Sequence, residues 1–580
     1  MKREAENRFA LFIELIYNIS FLLLLVMAVT ITLTVVLLFS GIPVNNYNFI
    51  ISCLLSIGIF YLIKKKTNSH SWLLISVLLG CMILVACIYC SSQVMDLSWD
   101  GNTYHKDAVG ALKNGWNPIR EDYISFYEKS GLRDMDYIGG KIERTHGFWQ
   151  TWYAKGMWYL SADIYALTNN IESGKCYTMI FMLILLGFVS KVIYLKQGSF
   201  SFSLLCGVLT AFTPVTIVQM FSYYNDGVLA LLLSGVVISF CLLLDETIEM
   251  KKTEKYIWIC LFLCLLIQVK FTGLAYGGVF CIVLYAIFLI KKWKTKELVE
   301  IRNSVTIFTL LCVISIGVVG FNPYVTNTLN TGNPFYPLLG KDKVDIVSYN
   351  EPVSFHSSGT ITKFVKSLFS ETANINEASG KEPKWKLPFT TNRQEWNYLD
   401  QVDVRIGGYG ILFSGIFLIS IFIIFSAFIH LRKMKNPWFI VCSGILFVLI
   451  VLCITISESW WARYSPYLYF IPLMAVVLSY FCWKSRISRI LLDVLAVLMV
   501  INLSYFVSSS WFVRYHDSKQ ETAQLKELSG KEILLYDQTE GFLGYLYNLD
   551  DLNIRYEATK KPLTSENGTL FYKRIRYSIK

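Results

Sequence analysis

The chain has 580 residues, of which 54% are hydrophobic and only 16% are charged. This composition excludes a string of soluble domains, because the charged residues are grouped between apolar runs of about 20 residues, the length that spans the ~30 Å hydrocarbon core of a bilayer. The net charge of +11 does not indicate nucleic-acid binding, since the basic residues are spread among the connections between these runs and form no basic face with stacking aromatics.

The apolar runs predict an all-α polytopic membrane protein with about 13 transmembrane helices. The first run follows the charged amino terminus Met1–Arg8 without a small-residue cleavage site. We therefore predict a retained first span and no cleaved signal peptide. The predicted spans cover residues 16–39, 48–63, 71–92, 176–195, 199–220, 227–245, 256–271, 273–290, 304–322, 409–430, 437–456, 465–482 and 488–507.

Lysine and arginine mark one side of the predicted membrane. They gather in alternate connections, for example at Lys64–Lys66 and around Lys291–Lys296, whereas the connections 41–47 and 221–227 have none. Short cytoplasmic connections of membrane proteins carry an excess of these residues. We therefore predict a cytoplasmic amino terminus and, with an odd number of spans, an external carboxyl terminus.

Three segments interrupt the apolar pattern, and the same rule predicts that all three are external. None of the 14 cysteines falls in them, which excludes an external disulfide framework. In the last segment, residues 532–536 and 569–572 resemble short strands. The predicted organisation is two N-terminal transmembrane helices (1–70), a transmembrane module (71–507) with external loops 93–175 and 323–408, and a small C-terminal α/β external domain (508–580).

The first external loop opens with two carboxylates, Asp96 and Asp100, directly after a predicted span. Tyr104 and His105 follow them. A carboxylate at the membrane surface is suited to act as a general base toward a hydroxyl group, or to bind a divalent cation. The alternative interpretation is a helix cap, since aspartate is a common N-cap residue.

Further along this loop, Trp and Tyr are dense between residues 144 and 159. Such density is typical of an interfacial helix at headgroup level and equally suits stacking against a sugar. His146 and Lys155 lie in the same stretch and add nothing to an apolar face. Anchoring at the membrane surface therefore explains these two residues less well than it explains the aromatic ones.

Three ionisable residues lie at predicted span ends, where charge is costly and needs a reason. Asp226 begins one span, at a position where a carboxylate also satisfies free helix N–H groups. Lys270 and Arg463 are isolated cations beside apolar stretches. Either cation could extend toward lipid headgroups. The more specific hypothesis is that both bind a lipid-linked phosphate, for which arginine offers a bidentate fork.

Three short motifs in this order resemble those of a known superfamily. Asp100-Gly-Asn-Thr-Tyr104-His105 is similar to an acidic first-loop motif, Thr331–Leu338 to a Gly-Asn-Pro-aromatic-x-Pro stretch, and Arg463-Tyr464 with Pro466 to a late Arg-Tyr-x-x-Pro element. Together they resemble the GT-C superfamily of polytopic glycosyltransferases, over about 71–482. The chain departs from that plan in having two spans before the one that leads into the acidic loop.

The resemblance implies a bacterial cell-membrane enzyme that moves a sugar from a polyprenyl-phosphate carrier to an envelope glycan or lipid acceptor on the outer face, with inversion and without a cofactor or metal. It implies that Asp100 or Asp96 is the general base, that Lys270 and Arg463 bind the donor phosphate, and that Tyr104, His105, His146, Lys155 and Asp226 contact substrate. Two alternatives stay open: a polysaccharide polymerase or ligase, and a flippase or transporter for lipid-linked sugars.

Overall fold

A computed structural model describes residues 2–132, 147–341, 343–345, 347–431, 437–482, 485–537 and 541–580. The α-helices are α1 (Lys2–Phe39), α2 (Asn48–Lys64), α3 (His70–Ser92), α4 (Lys106–Lys113), α5 (Tyr123–Ser130), α6 (Gly147–Trp152), α7 (Gly156–Thr168), α8 (Tyr177–Gln197), α9 (Phe200–Ala211), α10 (Pro214–Gln219), α11 (Asp226–Leu244), α12 (Lys252–Val269), α13 (Phe271–Lys294), α14 (Leu298–Cys312), α15 (Thr326–Thr331), α16 (Val353–His356), α17 (Thr360–Leu368), α18 (Arg393–Trp396), α19 (Phe413–Leu431), α20 (Pro437–Thr455), α21 (Phe470–Val477), α22 (Arg486–Phe506), α23 (Phe512–Leu528) and α24 (Leu543–Asp551). The strands are β1 (Glu532–Asp537), β2 (Arg555–Ala558), β3 (Gly568–Leu570) and β4 (Ile575–Ile579).

The described part of the chain contains nine helical segments that are long and apolar enough to cross a membrane. The chain is therefore a multi-pass membrane protein, although the predicted count of 13 spans is not confirmed. Three further apolar helices are shorter, and α12 carries three charged residues near its start. The nine segments are Asn7–Phe39, His70–Ser92, Ile171–Gln197, Asp226–Leu244, Phe271–Lys294, Leu298–Val319, Phe413–His430, Trp438–Thr455 and Arg486–Leu528.

Helix α3 shows how these helices divide their surfaces. Its buried residues, which include Ser76, Gly80, Leu84 and Cys87, recur every three or four positions and form one narrow stripe. Small residues let neighbouring helices approach closely, and a Cβ at Gly80 would meet Leu22 of α1 at 3.0 Å. Large apolar side chains on the opposite surface, such as Leu74, Leu78 and Met82, are exposed, as expected of a surface that faces lipid.

The predicted span 199–220 is broken in the structure. Helix α9 ends at Ala211 and α10 begins at Pro214, with Thr213 as its N-cap. The Thr213 hydroxyl accepts a hydrogen bond from the Thr216 N–H at 3.2 Å. Proline is favoured at a first helical position and breaks a helix interior, because it has no N–H. The break brings Gln219 against the start of α11, where its side-chain oxygen accepts from the Gly227 N–H at 2.7 Å.

The C-terminal domain contains a four-stranded sheet in the order β2-β1-β4-β3. Strand β1 runs parallel to β2 and antiparallel to β4, and α24 connects the parallel pair. The strand predicted at 532–536 is confirmed. The one predicted at 569–572 is shorter, because Phe571, Tyr572 and Lys573 take positive φ and turn the chain toward β4.

A buried charge cluster attaches this domain to the membrane module. The Glu172 carboxylate binds Lys106 at 2.6 Å and also pairs with Lys175, while Asn548 of α24 donates to Glu172 at 2.8 Å. Lys106 also donates to the backbone carbonyl of Asp96 at 2.8 Å. The cluster therefore holds the segment from Asp96 to Lys106 against α24.

We expect Lys106→Met to lower the free energy of unfolding by ~3–5 kcal/mol, because it leaves a buried carboxylate short of a cation. Lys129→Met is the matched control, since it breaks the largely exposed pair with Glu121 and should cost ~0–1 kcal/mol. Denaturation of both variants in detergent micelles measures the difference. Equal losses would contradict a stabilising role for the cluster.

Candidate active site

Arg463 lies between three aspartates that come from distant parts of the chain. Its Nη2 is 2.9 Å from Asp100 Oδ2, its Nη1 is 2.9 Å from Asp403 Oδ2, and its Nε is 3.2 Å from Asp226 Oδ2. Burial disfavours the charged guanidinium, but Asp403 and the other acidic neighbours outweigh it and raise the pKa of Arg463 well above its ordinary value. Each nitrogen therefore holds a different segment of the chain.

Lys270 is the second cation of the site. It lies in the extended break between α12 and α13, and its Nζ is 2.6 Å from Asp226 Oδ1. The ammonium group also lies 4.9 Å from the centre of the Tyr464 ring, within the range of a cation–π contact. Asp226 thus bridges the two cations, with Gln219 as a further donor at 3.3 Å.

Asp100 is the carboxylate that opens toward free space. Its side chain is 18% exposed, and its Oδ2 contacts both Arg463 and the Tyr104 hydroxyl, the latter at 3.3 Å. Among the described residues no partner engages Oδ1. Asp100 directly precedes a single π-helical turn, Gly101–His105. Glycine is favoured at position 101, because a Cβ there would overlap the Asp96 carboxylate unless that side chain moved.

Asp96 has a different environment from Asp100. It is 1% exposed, and its two oxygens accept from the backbone N–H groups of Ser98 and Tyr223, each at 2.9 Å. These bonds attach the start of the first loop to the segment that leads into α11. The geometry thus favours Asp100 over Asp96 as a group that meets a ligand.

A cavity of about 610 Å³ lies over this charge cluster. Four residues singled out in the sequence line it: Asp100, Tyr104, Lys270 and Arg463. Eight of the nineteen lining residues are aromatic, a type of side chain common in ligand cavities. The aromatic lining consists of Trp99, Tyr104, Trp149, Tyr153, Tyr224, Tyr349, Trp461 and Tyr464.

Two other predicted site residues face the protein interior. His105 is buried and accepts from Trp158 Nε1 at 2.7 Å, and burial lowers the pKa of His105 to about 3. Lys155 is also buried and donates to two backbone carbonyls at 2.9 Å, and burial lowers its pKa well below the ordinary value. Neither lines the cavity. His146 lies outside the described residues.

Sequence reasoning missed Asp403 and Arg405. Asp403 accepts from Trp461 Nε1 at 2.7 Å as well as from Arg463, and burial raises its pKa more than the neighbouring guanidinium groups lower it. Arg405 lies over the Trp461 ring at 5.3 Å. Both residues belong to an irregular loop without hydrophobic periodicity. In the sequence, only the Trp460-Trp461-Ala462-Arg463 stretch, which contacts them in the structure, indicated a site.

The space between the three aspartates is filled by the Arg463 guanidinium. Over the part of the chain that the structure describes, no three His, Cys, Asp or Glu side chains are grouped to hold a metal ion. Comparisons with protein-family models, with curated proteins and with solved structures gave no match to the chain. Function is therefore argued from the geometry of this cavity.

We expect Arg463→Gln to lower the free energy of unfolding by ~3–5 kcal/mol, because Asp100 and Asp403 lose their cation and Asp226 keeps only Lys270. Asp403→Asn should then cost less in the Arg463→Gln background than in the wild type, since it removes one of three repelling charges. Denaturation of the two single variants and the double variant in detergent measures this coupling. Additive losses would contradict it.

Proposed function

We propose that the protein is a membrane glycosyltransferase of the GT-C type. It transfers a sugar from a polyprenyl-phosphate carrier to an envelope glycan or lipid acceptor, with inversion at the anomeric carbon. The observation that carries the proposal is that Asp100, whose Oδ1 has no partner among the described residues, lines an aromatic-rich cavity together with Lys270 and Arg463. A base, a sugar-sized space and cations for a leaving phosphate are the parts that this chemistry needs.

The cavity walls suit a sugar. Eight of the lining side chains are aromatic, and Thr103, Thr272, Asn350 and Asn376 add hydrogen-bonding groups. Flat rings pack against the C–H faces of a sugar ring, while polar side chains bind its hydroxyl groups. The volume of about 610 Å³ lies within the range of ligand cavities.

In the proposed reaction, Asp100 accepts the proton of an acceptor hydroxyl. The hydroxyl oxygen attacks the anomeric carbon, and the bond from that carbon to the phosphate oxygen breaks on the opposite face. The polyprenyl phosphate departs with the bonding electrons. Tyr104 and Arg463 hold the other carboxylate oxygen, Oδ2, so that Oδ1 keeps a fixed direction.

Lys270 and Arg463 stabilise the negative charge that develops on the departing phosphate. Lys270 has three N–H donors, and its described ion pair with Asp226 uses one of them. Asp226 holds both cations from behind and does not line the cavity. Its proposed role is thus to position the phosphate-binding side chains, while contact with the sugar falls to other residues.

The location of the site supports a reaction on the outer leaflet. Asp226 and Lys270 lie at the starts of the spans Asp226–Leu244 and Phe271–Lys294. The opposite end of the second span carries Lys291, Lys292 and Lys294. Because basic clusters mark the cytoplasmic side, the cavity belongs to the external side under this proposal.

Asp100→Asn should lower the transfer rate ~10²–10⁴-fold, the usual loss when a general base is removed, without changing the thermal stability greatly. Asp122→Asn is the matched control, since Asp122 is an exposed N-cap of α5 and should retain full activity. Mass analysis of envelope glycans from cells that express each variant, or lack the protein, measures transfer.

The same mass analysis separates the proposed enzyme from its rivals. Cells without the protein, and cells with Asp100→Asn, should make a glycan that lacks one sugar substituent. A full-length glycan with Asp100→Asn would contradict the base assignment. Accumulation of an intact lipid-linked precursor in the cytoplasmic leaflet would instead indicate a flippase, and a loss of chain length would indicate a polymerase.

A further inference from the structure

A second cavity, of about 500 Å³, adjoins the first. Trp99, Tyr224, Asp403 and Arg405 line both cavities and form the wall between them. The other walls come from the start of the first loop, from α23 and from the turn between β3 and β4. Three arginines face it, Arg405, Arg514 and Arg574, and we refer to it as the arginine cavity.

Arg574, from the C-terminal domain, is the least engaged of the three. Its guanidinium carbon lies 4.9 Å from the centre of the Trp99 ring and 5.4 Å from that of Phe542. Stacking uses the flat faces of a guanidinium group, and its N–H donors point outward from the edge. Within the described ranges, no hydrogen bond or ion pair engages these donors. Arg574 is therefore held in place with its donors available.

The other two arginines donate their described hydrogen bonds to neutral oxygens. Arg514 donates to the Ser510 hydroxyl at 3.1 Å and to the backbone carbonyl of Asp400 at 2.9 Å. Arg405 donates to the side-chain oxygens of Asn350, at 2.7 Å, and Asn374, and its Nε is buried without a partner. Counting described residues alone, no carboxylate pairs with any of the three guanidinium groups.

The acidic residues of the cavity do not neutralise this charge directly. Asp403 is engaged by Arg463 and Trp461, and Asp517 accepts from the Tyr572 hydroxyl at 3.0 Å. Asp400 has a buried Oδ1 without a hydrogen-bond partner, and burial raises the pKa of its carboxyl. The cavity thus offers the N–H donors of three arginines, and among the described residues no carboxylate of its lining accepts from them.

We propose that the arginine cavity binds a phosphate group of the acceptor. This inference rests on the proposed function, because it assigns the carrier phosphate to Lys270 and Arg463 and leaves the second cavity to the second substrate. Arginine forks match the spacing of phosphate oxygens and bind them through paired hydrogen bonds. Trp99 lines both cavities and directly precedes Asp100, so an acceptor anchored among the arginines has a short path to the base.

The position of the cavity along the chain is compatible with a phosphate-bearing acceptor. Arg514 is in α23, which continues the last long apolar helix into a polar stretch. A boundary between an apolar and a polar stretch is what a helix shows where it leaves the hydrocarbon core for the headgroups. Both a phospholipid headgroup and the phosphate of a glycan chain can reach this depth, and they present the same chemistry to the arginines.

Phosphate binding can be measured on the purified full-length protein in neutral detergent. Raising sodium phosphate, with sodium chloride adjusted to hold the ionic strength constant, should raise the Tm along a saturable curve, because a ligand that binds the folded state stabilises it. Arg514→Gln and Arg574→Gln should each weaken the apparent affinity about tenfold or more. Arg576→Gln is the matched control. Arg576 lies two residues after Arg574, in β4, and forms an exposed pair with Glu566, so this variant should leave the curve unchanged.

Two further probes identify the source of the phosphate. Tighter binding of dihexanoyl phosphatidylglycerol than of glycerol 1-phosphate would support a lipid acceptor, and the reverse order would support a glycan phosphate. Absence of a saturable shift with all three probes, or a shift that survives in both arginine variants, would overturn the proposal. Phosphate binding is measured without catalysis, so its absence would not affect the prediction that Asp100→Asn lowers the transfer rate. Conversely, if Asp100→Asn retained full transfer, the binding of phosphate to the arginine cavity could still be measured.

Discussion

The contact between the Arg463 guanidinium and three aspartates is the interaction on which the candidate site depends. Asp100, Asp226 and Asp403 belong to a loop, a helix start and a second loop, and they meet only at this cation. A buried charge without its partner costs several kcal/mol. None of these three segments can therefore take its place independently. The cavity forms when they and the segment that carries Arg463 are assembled. The electrostatics that could serve catalysis also determine the local fold.

The C-terminal domain is part of the same assembly. Its helix α24 packs so closely on the Asp100 segment that Gly110 lies against Tyr547, and Gly544 against Asn102. Below this contact, the Glu172 cluster fixes the backbone of Asp96 through Lys106. The two aspartates of the first loop consequently have separate roles. Asp96 joins backbone segments, and Asp100, presented by the turn that Asp96 anchors, meets the cavity.

The sequence singled out three charged residues that line the cavity but not most of the residues around them. Asp100, Lys270 and Arg463 stood out because charges beside apolar runs need a reason, and they do converge. The same reasoning could not separate them from Lys155, which satisfies its charge on backbone carbonyls inside the protein. Asp403 and Arg405 lie in a loop whose path depends on tertiary contacts, so no periodicity marked them. The predicted span 199–220 is broken because Thr213 caps a new helix. An average of hydropathy over the whole segment does not detect such a cap.

The overlap between a side chain at position 101 and the Asp96 carboxylate has a consequence for ancestry. In any chain that descends from the same ancestor and keeps the buried aspartate in this position, the overlap favours glycine five places later. Membrane proteins diverge quickly across their lipid-facing surfaces, where one apolar residue replaces another without penalty. The aspartate and glycine of this pair would persist after those surfaces have lost sequence similarity. The pair is therefore a marker for distant homologues.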